Sequence, residues 1–187
     1  MNYGSLDLII GPMFAGKSTE LIKIIKSYRI LEKNILIVNH IINNRYGTNG
    51  ISTHDQVKVD SSINIEYLSE LEEKHHKLFK KAEIIIIEEL QFFKDAFEYV
   101  TSWVDTKGKH VIGAGLISDF QKNPFGDVLK LIPHAENITK LSALCKICKD
   151  GTKACFTKRK VKEQNIIMVG SDFCYDAVCR KHYLQDF

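Results

Sequence analysis

Short β-branched runs alternate with amphipathic stretches along the first two-thirds of the chain, the pattern of strands joined by crossover helices in a parallel sheet. Leu6, Leu8, Ile9 and Ile10 predict a first strand. Leu21, Ile24, Ile25 and Tyr28 then recur at helical spacing, with Glu20, Lys23, Lys26 and Arg29 on the other face, and predict a first helix. Ile35 to Val38 is a continuous aliphatic run and predicts a buried strand, while Arg45 to His54 reads as loop. Ser69 and Glu72 have the spacing of a capping box, and Leu71, His75, Leu78, Phe79 and Ala82 follow along one face, predicting a helix that ends near Lys81. Ile84 to Ile87 lacks polar alternation and predicts a central strand covered on both faces. Asp95 with Glu98 predicts the cap of a further helix carrying Ala96, Phe97, Val100 and Val104, and His110 to Ala114 predicts another strand. After about Leu141 cysteines, lysines and short strand-like pieces replace long helices. The reading is an α/β core over 1–140 and a second, smaller module over 141–187, with no internal repeat.

Composition narrows this little. The 187 residues suffice for one well-buried core with a small appended module. At 44% hydrophobic and 26% charged residues, the chain has the balance of an ordinary globular protein rather than a disordered one. A formal net charge of +3 is too small to announce a nucleic-acid or membrane partner. No charged leader precedes the first apolar run, and the longest aliphatic run, Ile84 to Ile87, is far short of the roughly 20 residues of a membrane span. The expectation is a soluble protein. Five cysteines, two of them spaced as Cys145 and Cys148, suit a metal site in a reducing cytoplasm better than disulfides.

Chemistry enters with GPMFAGKST, residues Gly11, Pro12, Met13, Phe14, Ala15, Gly16, Lys17, Ser18 and Thr19. It matches G-x-x-x-x-G-K-[ST] and lies between the first strand and the first helix, the context a phosphate-binding loop needs. Glycines let the backbone fold tightly around phosphate oxygens, the helix N-terminus adds donors and partial positive charge, and Lys17 reaches the outer phosphates. Ser18 is positioned to bind magnesium. The loop alone does not separate a switch protein, a motor and a metabolic kinase.

The strand Ile84 to Ile87 runs into Glu88 and Glu89. A carboxylate at the end of such a strand holds the magnesium shell, directly or through water. Neighbouring residues of an extended strand point to opposite sides, so the two acids are expected to divide the work, one at the metal and one as proton acceptor for an attacking hydroxyl. Further on, Cys145 and Cys148 form a C-x-x-C knuckle, and Cys179 with His182 supplies C-x-x-H. Four such ligands in two pairs suit a closed, tetrahedral, structural zinc site.

Together these segments resemble the thymidine kinase family, the zinc-containing cytosolic kind. The likeness covers nearly the whole chain: GPMFAGKSTELI, NNRYGT with STHD, EELQFF, GLISDFQKNPFG, KLSALCKIC, FTKR and YDAVCRKHY, in that order. The compact length and NNRYGT are most similar to viral and animal members. The resemblance implies a P-loop (RecA-like) parallel-sheet core with a zinc-binding domain and a lasso loop. It also implies transfer of the γ-phosphate of ATP to the 5′-hydroxyl of thymidine, with magnesium, in a protein that is commonly a tetramer. Glu89 matches the family's catalytic base. Glu88 stands where aspartate is usual, Leu90 replaces a frequent glycine, and Asn43 stands where an aspartate commonly precedes the arginine that matches Arg45, a phosphate contact.

By the same resemblance Phe120 packs against the thymine ring, and Met13, Phe92, Leu116, Phe125 and Tyr175 form the remaining walls. Aromatic faces stack on a base, and a close apolar wall accepts its methyl group. Ile117, Ser118 and Asp119 depart from the aspartate, glycine and threonine that relatives often carry there. Ile166, Ile167, Met168, Val169 and Gly170 match the C-terminal loop that closes over the base through its backbone, and Thr157 is a further contact. Zinc would pin both ends of that loop; His182 stands where relatives often have cysteine.

Two other readings stand beside this one. Lys146, Lys149, Lys153, Lys158, Arg159, Lys160 and Lys162 around the cysteines suit an NTP-driven zinc protein that binds nucleic acid. Alternatively the acceptor is deoxyuridine or another deoxynucleoside, since one methyl group gives only about 1 to 3 kcal/mol of discrimination.

Overall fold

Four consecutive isoleucines set the centre of the sheet. Alternate side chains of a strand leave on opposite faces: Ile84 and Ile86 join one apolar cluster with Leu21, Ile22 and Ile25, whereas Ile85 and Ile87 join the other with Phe93, Val100 and Trp103. All four are buried, as expected of a strand covered on both sides.

The computed structural model describes residues 3–42, 50–52, 58–60, 62–160 and 174–185. In chain order, β1 (Ser5–Ile10) leads into α1 (Lys17–Ile30), followed by β2 (Ile35–His40), the short β3 (Gly50–Ser52) and β4 (Lys58–Asp60), and β5 (Ser62–Ile65). The helical turns α2 (Glu70–Glu73) and α3 (His76–Lys81) precede β6 (Ile84–Ile87), α4 (Ala96–Asp105) and β7 (His110–Gly115). Then come α5 (Val128–Leu131), β8 (Asn137–Lys140), β9 (Ala143–Leu144), β10 (Lys153–Ala154), β11 (Phe156–Arg159), β12 (Tyr175–Val178) and α6 (Arg180–Leu184).

Six strands form one sheet in the order β5-β2-β6-β7-β1-β8, and every ladder in it is parallel. Residues of α1 cover one face, and residues of α3, α4 and α5 cover the other. Because the strands run the same way, the loops that follow β1, β2, β6 and β7 all leave from one edge, the edge where open α/β sheets bind ligands. That edge receives Gly11, Ile41, Glu88 and Leu116. Past β8 the chain changes to small antiparallel pairs, β9 with β10 and β11 with β12.

The structure corrects three local expectations. The helix predicted from Ser69 to Lys81 is two pieces, broken around Lys74 and His75, and Leu78 is exposed. Ser69 does not cap it. Glu72, the expected partner in a capping box, accepts from the Trp103 indole at 2.6 Å and from Lys107 instead. Nor does Asp95 cap α4: its carboxylate accepts the backbone N–H groups of Leu68 at 3.1 Å and Ser69 at 3.0 Å. In both cases a tertiary partner outcompetes the local one. Finally, the stretch expected to be loop from Arg45 to His54 contains β3, which pairs with β4.

Candidate functional site

Gly16, the second glycine of the phosphate-loop motif, has φ +84, in the left-handed region that glycine adopts without steric penalty, and α1 starts at Lys17. The first-turn N–H groups of α1 therefore open onto the loop. Phe14 also has a positive φ, +64, which is unusual for a residue with a side chain. The Lys17 ammonium donates to the Pro12 carbonyl at 3.0 Å. The Ser18 hydroxyl donates to Oε1 of Glu88, so the loop meets the end of β6 through these two residues.

The paired acids diverge. Glu88 is buried and its N–H continues the sheet pairing to Val38 at 3.0 Å. Glu89 turns sharply, with φ +54 and ψ +45, and its Oε2 accepts from the Gln91 amide nitrogen at 2.5 Å. Strand alternation is thus not what separates them; the strand has ended, and a left-handed turn redirects the second acid. Gln91 is itself buried, and its amide oxygen accepts the Leu116 N–H at 2.9 Å. A Cβ on Gly126, at φ +59, would lie 2.3 Å from the Gln91 carbonyl, so that close approach requires glycine. Leu90 is fully buried, and a Cβ on Gly113 would lie 2.7 Å from its Cδ2.

Aromatic side chains gather at the same edge. Phe92 stands edge-to-face with Phe125, ring centroids 5.7 Å apart, and near His40 at 5.7 Å. Burial holds the His40 imidazole below its usual pKa, against the pull of Glu66 and Asp95. Phe120 and Tyr175 are joined by Arg159, whose guanidinium lies 3.8 Å from the Phe120 centroid and donates to the Tyr175 hydroxyl at 2.7 Å. The Tyr183 hydroxyl donates to the Phe120 carbonyl at 2.8 Å. Asp119 turns this segment back on itself by accepting the N–H groups of Gln121 at 2.8 Å and Asn123 at 2.9 Å. Thr157 meets the phosphate loop, its hydroxyl accepting the Met13 N–H at 3.0 Å. Arg45 and Ile166 to Gly170 lie outside the described residues. Pattern alone assigned no site contact to Gln91 or Tyr183 and placed Arg159 only among the cations of the nucleic-acid reading; the one available signal was that each lies within EELQFF, FTKR or YDAVCRKHY.

The four cysteine and histidine positions converge. One ligand atom from each of Cys145, Cys148, Cys179 and His182 lies within 4.8 Å of the others. His182 Nδ1 is 3.5, 3.3 and 3.4 Å from the sulfurs of Cys145, Cys148 and Cys179, and the last two sulfurs are 3.8 Å apart. Tetrahedral bond lengths to zinc imply about 3.8 Å between sulfurs and about 3.6 Å between sulfur and nitrogen, so the donor set fits that ion. Burial opposes ionisation of Cys145, but backbone N–H groups around the knuckle outweigh it and bring the thiol down to about 6. Burial and the neighbouring sulfurs push Cys148 up to about 11.

Several basic residues of this region are engaged internally. Lys146 and Lys160 pair with Asp176 at 2.7 and 3.4 Å, and Lys158 donates to the carbonyls of His182 and Gln185. Arg159 is taken up by Phe120 and Tyr175. They do not form a free basic stripe. Among the described residues no helix is long and apolar enough to cross a membrane.

Comparison with known proteins agrees with this arrangement. The family model described as thymidine kinase matches residues 4–183. A thymidine kinase of Sheeppox virus (strain KS-1) is 44% identical over 184 residues, 98% of each chain. One from Myxoma virus (strain Uriarra) is 42% identical over 181 residues, 96% of each. One from Oryza sativa subsp. japonica is 37% identical over 182 residues, 97% of this chain and 66% of that relative. A solved structure of two coordinating Pif1 helicases matches with a TM-score of 0.36 and 16% identity, over 75% of this chain and 40% of that one. With the family model spanning the phosphate loop, the paired acids and the metal-ligand cluster alike, the chain belongs to the thymidine kinase family.

Proposed function

We propose that the protein transfers the γ-phosphate of ATP to the 5′-hydroxyl of thymidine, giving thymidine monophosphate and ADP. The observation that carries this reading is the divergence of Glu88 and Glu89: one acid is buried against the phosphate-loop serine, the other is turned away and held by Gln91. A phosphoryl-transfer site needs that division, a carboxylate for the metal and one for the acceptor proton.

Lys17, the N–H groups at the start of α1 and Arg45 bind the triphosphate. Ser18 and Glu88 offer hard oxygen donors side by side and hold magnesium, which, when bound, neutralises charge developing on the phosphate oxygens. Glu89 accepts the 5′-hydroxyl proton as that oxygen bonds to the γ-phosphorus and the bond to ADP breaks. Gln91 fixes the carboxylate for this step. Phe120 stacks on the base, Met13, Phe92, Leu116, Phe125, Thr157 and Tyr175 wall it, and the backbone of Ile166, Ile167, Met168, Val169 and Gly170 covers it. Cys145, Cys148, Cys179 and His182 hold a structural zinc that leaves no position open for chemistry. Five cysteines with no disulfide among them suit a reducing cytoplasm, and a homotetramer is the assembly we propose.

The test is incubation of purified, zinc-loaded protein with thymidine, ATP and magnesium; absence of thymidine monophosphate sinks the reading. Glu89→Gln should lose activity by about 10² to 10⁴ while still binding ATP; full activity removes Glu89 from the proton-acceptor role. Equal kcat/KM for thymidine, deoxyuridine and deoxycytidine defeats the choice of thymidine. The nucleic-acid reading is disfavoured by the internal pairing of Lys146, Lys158, Arg159 and Lys160, and a flat salt dependence of oligonucleotide binding disposes of it.

A further inference from the structure

The peptide unit between Pro12 and Met13 is held from both sides. Its carbonyl accepts the Lys17 ammonium at 3.0 Å, and its N–H donates to the Thr157 hydroxyl at 3.0 Å. In a trans peptide these two groups point in opposite directions, so Thr157 on β11 fixes the plane that presents the carbonyl to Lys17. Thr157 is 144 residues from Met13 in sequence and comes from the hairpin next to the Cys145, Cys148, Cys179 and His182 cluster.

The contact is part of a wider support. Phe14, in its left-handed conformation, and Ala15 pack against the cluster formed by Ala143, Cys145, Ala154, Ala177 and Val178. On the near side, the Leu141 N–H donates to the Ile10 carbonyl at 2.8 Å, and a Cβ on Gly11 would lie 2.7 Å from the Leu141 carbonyl. The first half of the phosphate loop is therefore braced by the C-terminal hairpins and not only by the helix that follows it. A left-handed non-glycine residue costs about 1 to 3 kcal/mol and persists only where surrounding packing holds it, and here that packing comes from the metal-ligand region.

We propose that Thr157 is a positioning residue for the phosphate donor: its hydroxyl orients the Pro12–Met13 peptide and, through it, the Lys17 ammonium. The proposal deepens the kinase reading above and rests on the Gly11 to Thr19 loop binding ATP. Its physical basis is preorganisation, since a phosphate cradle works only if its donors and its lysine are aligned before the ligand arrives. The role belongs to the hydroxyl alone, so it is separable from any contact between the Thr157 methyl group and the base.

Two variants of the zinc-loaded full chain separate these roles. Thr157→Val keeps the branched shape and removes the acceptor; Thr157→Ser keeps the hydroxyl and removes the methyl. Binding of ATP is measured by titration, with KM for ATP and thymidine, kcat, zinc content and thermal midpoint followed alongside. In Thr157→Val the Kd and KM for ATP should rise about five- to tenfold, the size of one lost hydrogen bond, more than the thymidine KM rises, with the zinc content unchanged. Thr157→Ser should return ATP binding to within about twofold of the parent. A rise in thymidine KM alone in Thr157→Val, or equal loss of ATP affinity in both variants, overturns the proposal. A parent protein that binds no ATP defeats the donor reading and this role with it; parent binding that Thr157→Val leaves unchanged defeats only the role.

Discussion

The guanidinium of Arg159 lies over the Phe120 ring at 3.8 Å from its centroid and holds the Tyr175 hydroxyl at 2.7 Å, so one side chain from β11 sets two of the aromatics proposed for the nucleoside pocket. A cation over an aromatic face contributes about 0.5 to 2 kcal/mol. Arg159→Met should raise the thymidine KM about two- to thirtyfold, more than it raises the KM for ATP. Steady-state kinetics with each substrate varied in turn check this; an equal loss for both substrates shows that Arg159 supports the fold in general.

Gln91 spans Glu89 and the Leu116 backbone with the two ends of one amide. Gln91→Leu keeps the volume and removes both hydrogen bonds. The expected outcome is a fall in kcat of about tenfold or more, part of the factor a positioned base supplies, with ATP affinity retained. Unchanged kcat in a folded variant shows that Glu89 finds its orientation without this partner.

Stripping the proposed zinc from the Cys145, Cys148, Cys179 and His182 cluster with a chelator should lower the thermal midpoint and expose the C-terminal strands to proteolysis, because a structural metal's binding energy is folding energy. Elemental analysis should give one zinc per chain in the parent and none in Cys148→Ser with Cys179→Ser. A chelated protein with an unmoved midpoint removes the structural role.

Leu90 stands where the family frequently has glycine, and it fills space against Gly113 in the main core. Leu90→Ala should destabilise the protein by about 2 to 5 kcal/mol through the cavity it leaves, read from denaturant unfolding. Losing less than about 1 kcal/mol would mean that the core closes over the gap.

Glu72 is desolvated by its position, yet the Lys107 and Trp103 hydrogen bonds outweigh that and hold its pKa below the ordinary 4.5. A depressed carboxylate contributes stability that is present above its unfolded pKa and is lost as pH falls through the folded one. Glu72→Gln should therefore flatten the acid side of the stability profile below about pH 4.5. An acid limb identical to the parent's excludes Glu72 from it.

Local pattern carried the reading as far as contiguous residues encode their own geometry. Ile84 to Ile87 announced a doubly covered strand because lack of polar alternation has one physical meaning in a sheet. GPMFAGKST announced its loop because glycines and a helix start within nine residues specify a phosphate cradle. The two knuckles announced a metal cluster by their ligand types and spacing. The pattern misread Ser69 and Asp95, where local caps competed with partners far along the chain and lost.

Only the tertiary structure decided how those pieces meet. Nothing in EELQFF reveals that Glu89 leaves the strand direction on a left-handed turn, since backbone strain is maintained by packing and not by the residue that bears it. Nothing in FTKR reveals that Thr157 holds the Met13 peptide or that Arg159 lies over Phe120, because such pairs join segments of high sequence separation. The sequence by itself determined which groups the protein carries, namely a glycine-and-lysine loop with a phosphate-binding pattern, two adjacent acids, several aromatics, and three cysteines and a histidine with metal-ligand spacing. The parallel order of the sheet and the docking of the C-terminal hairpins decided which of them touch.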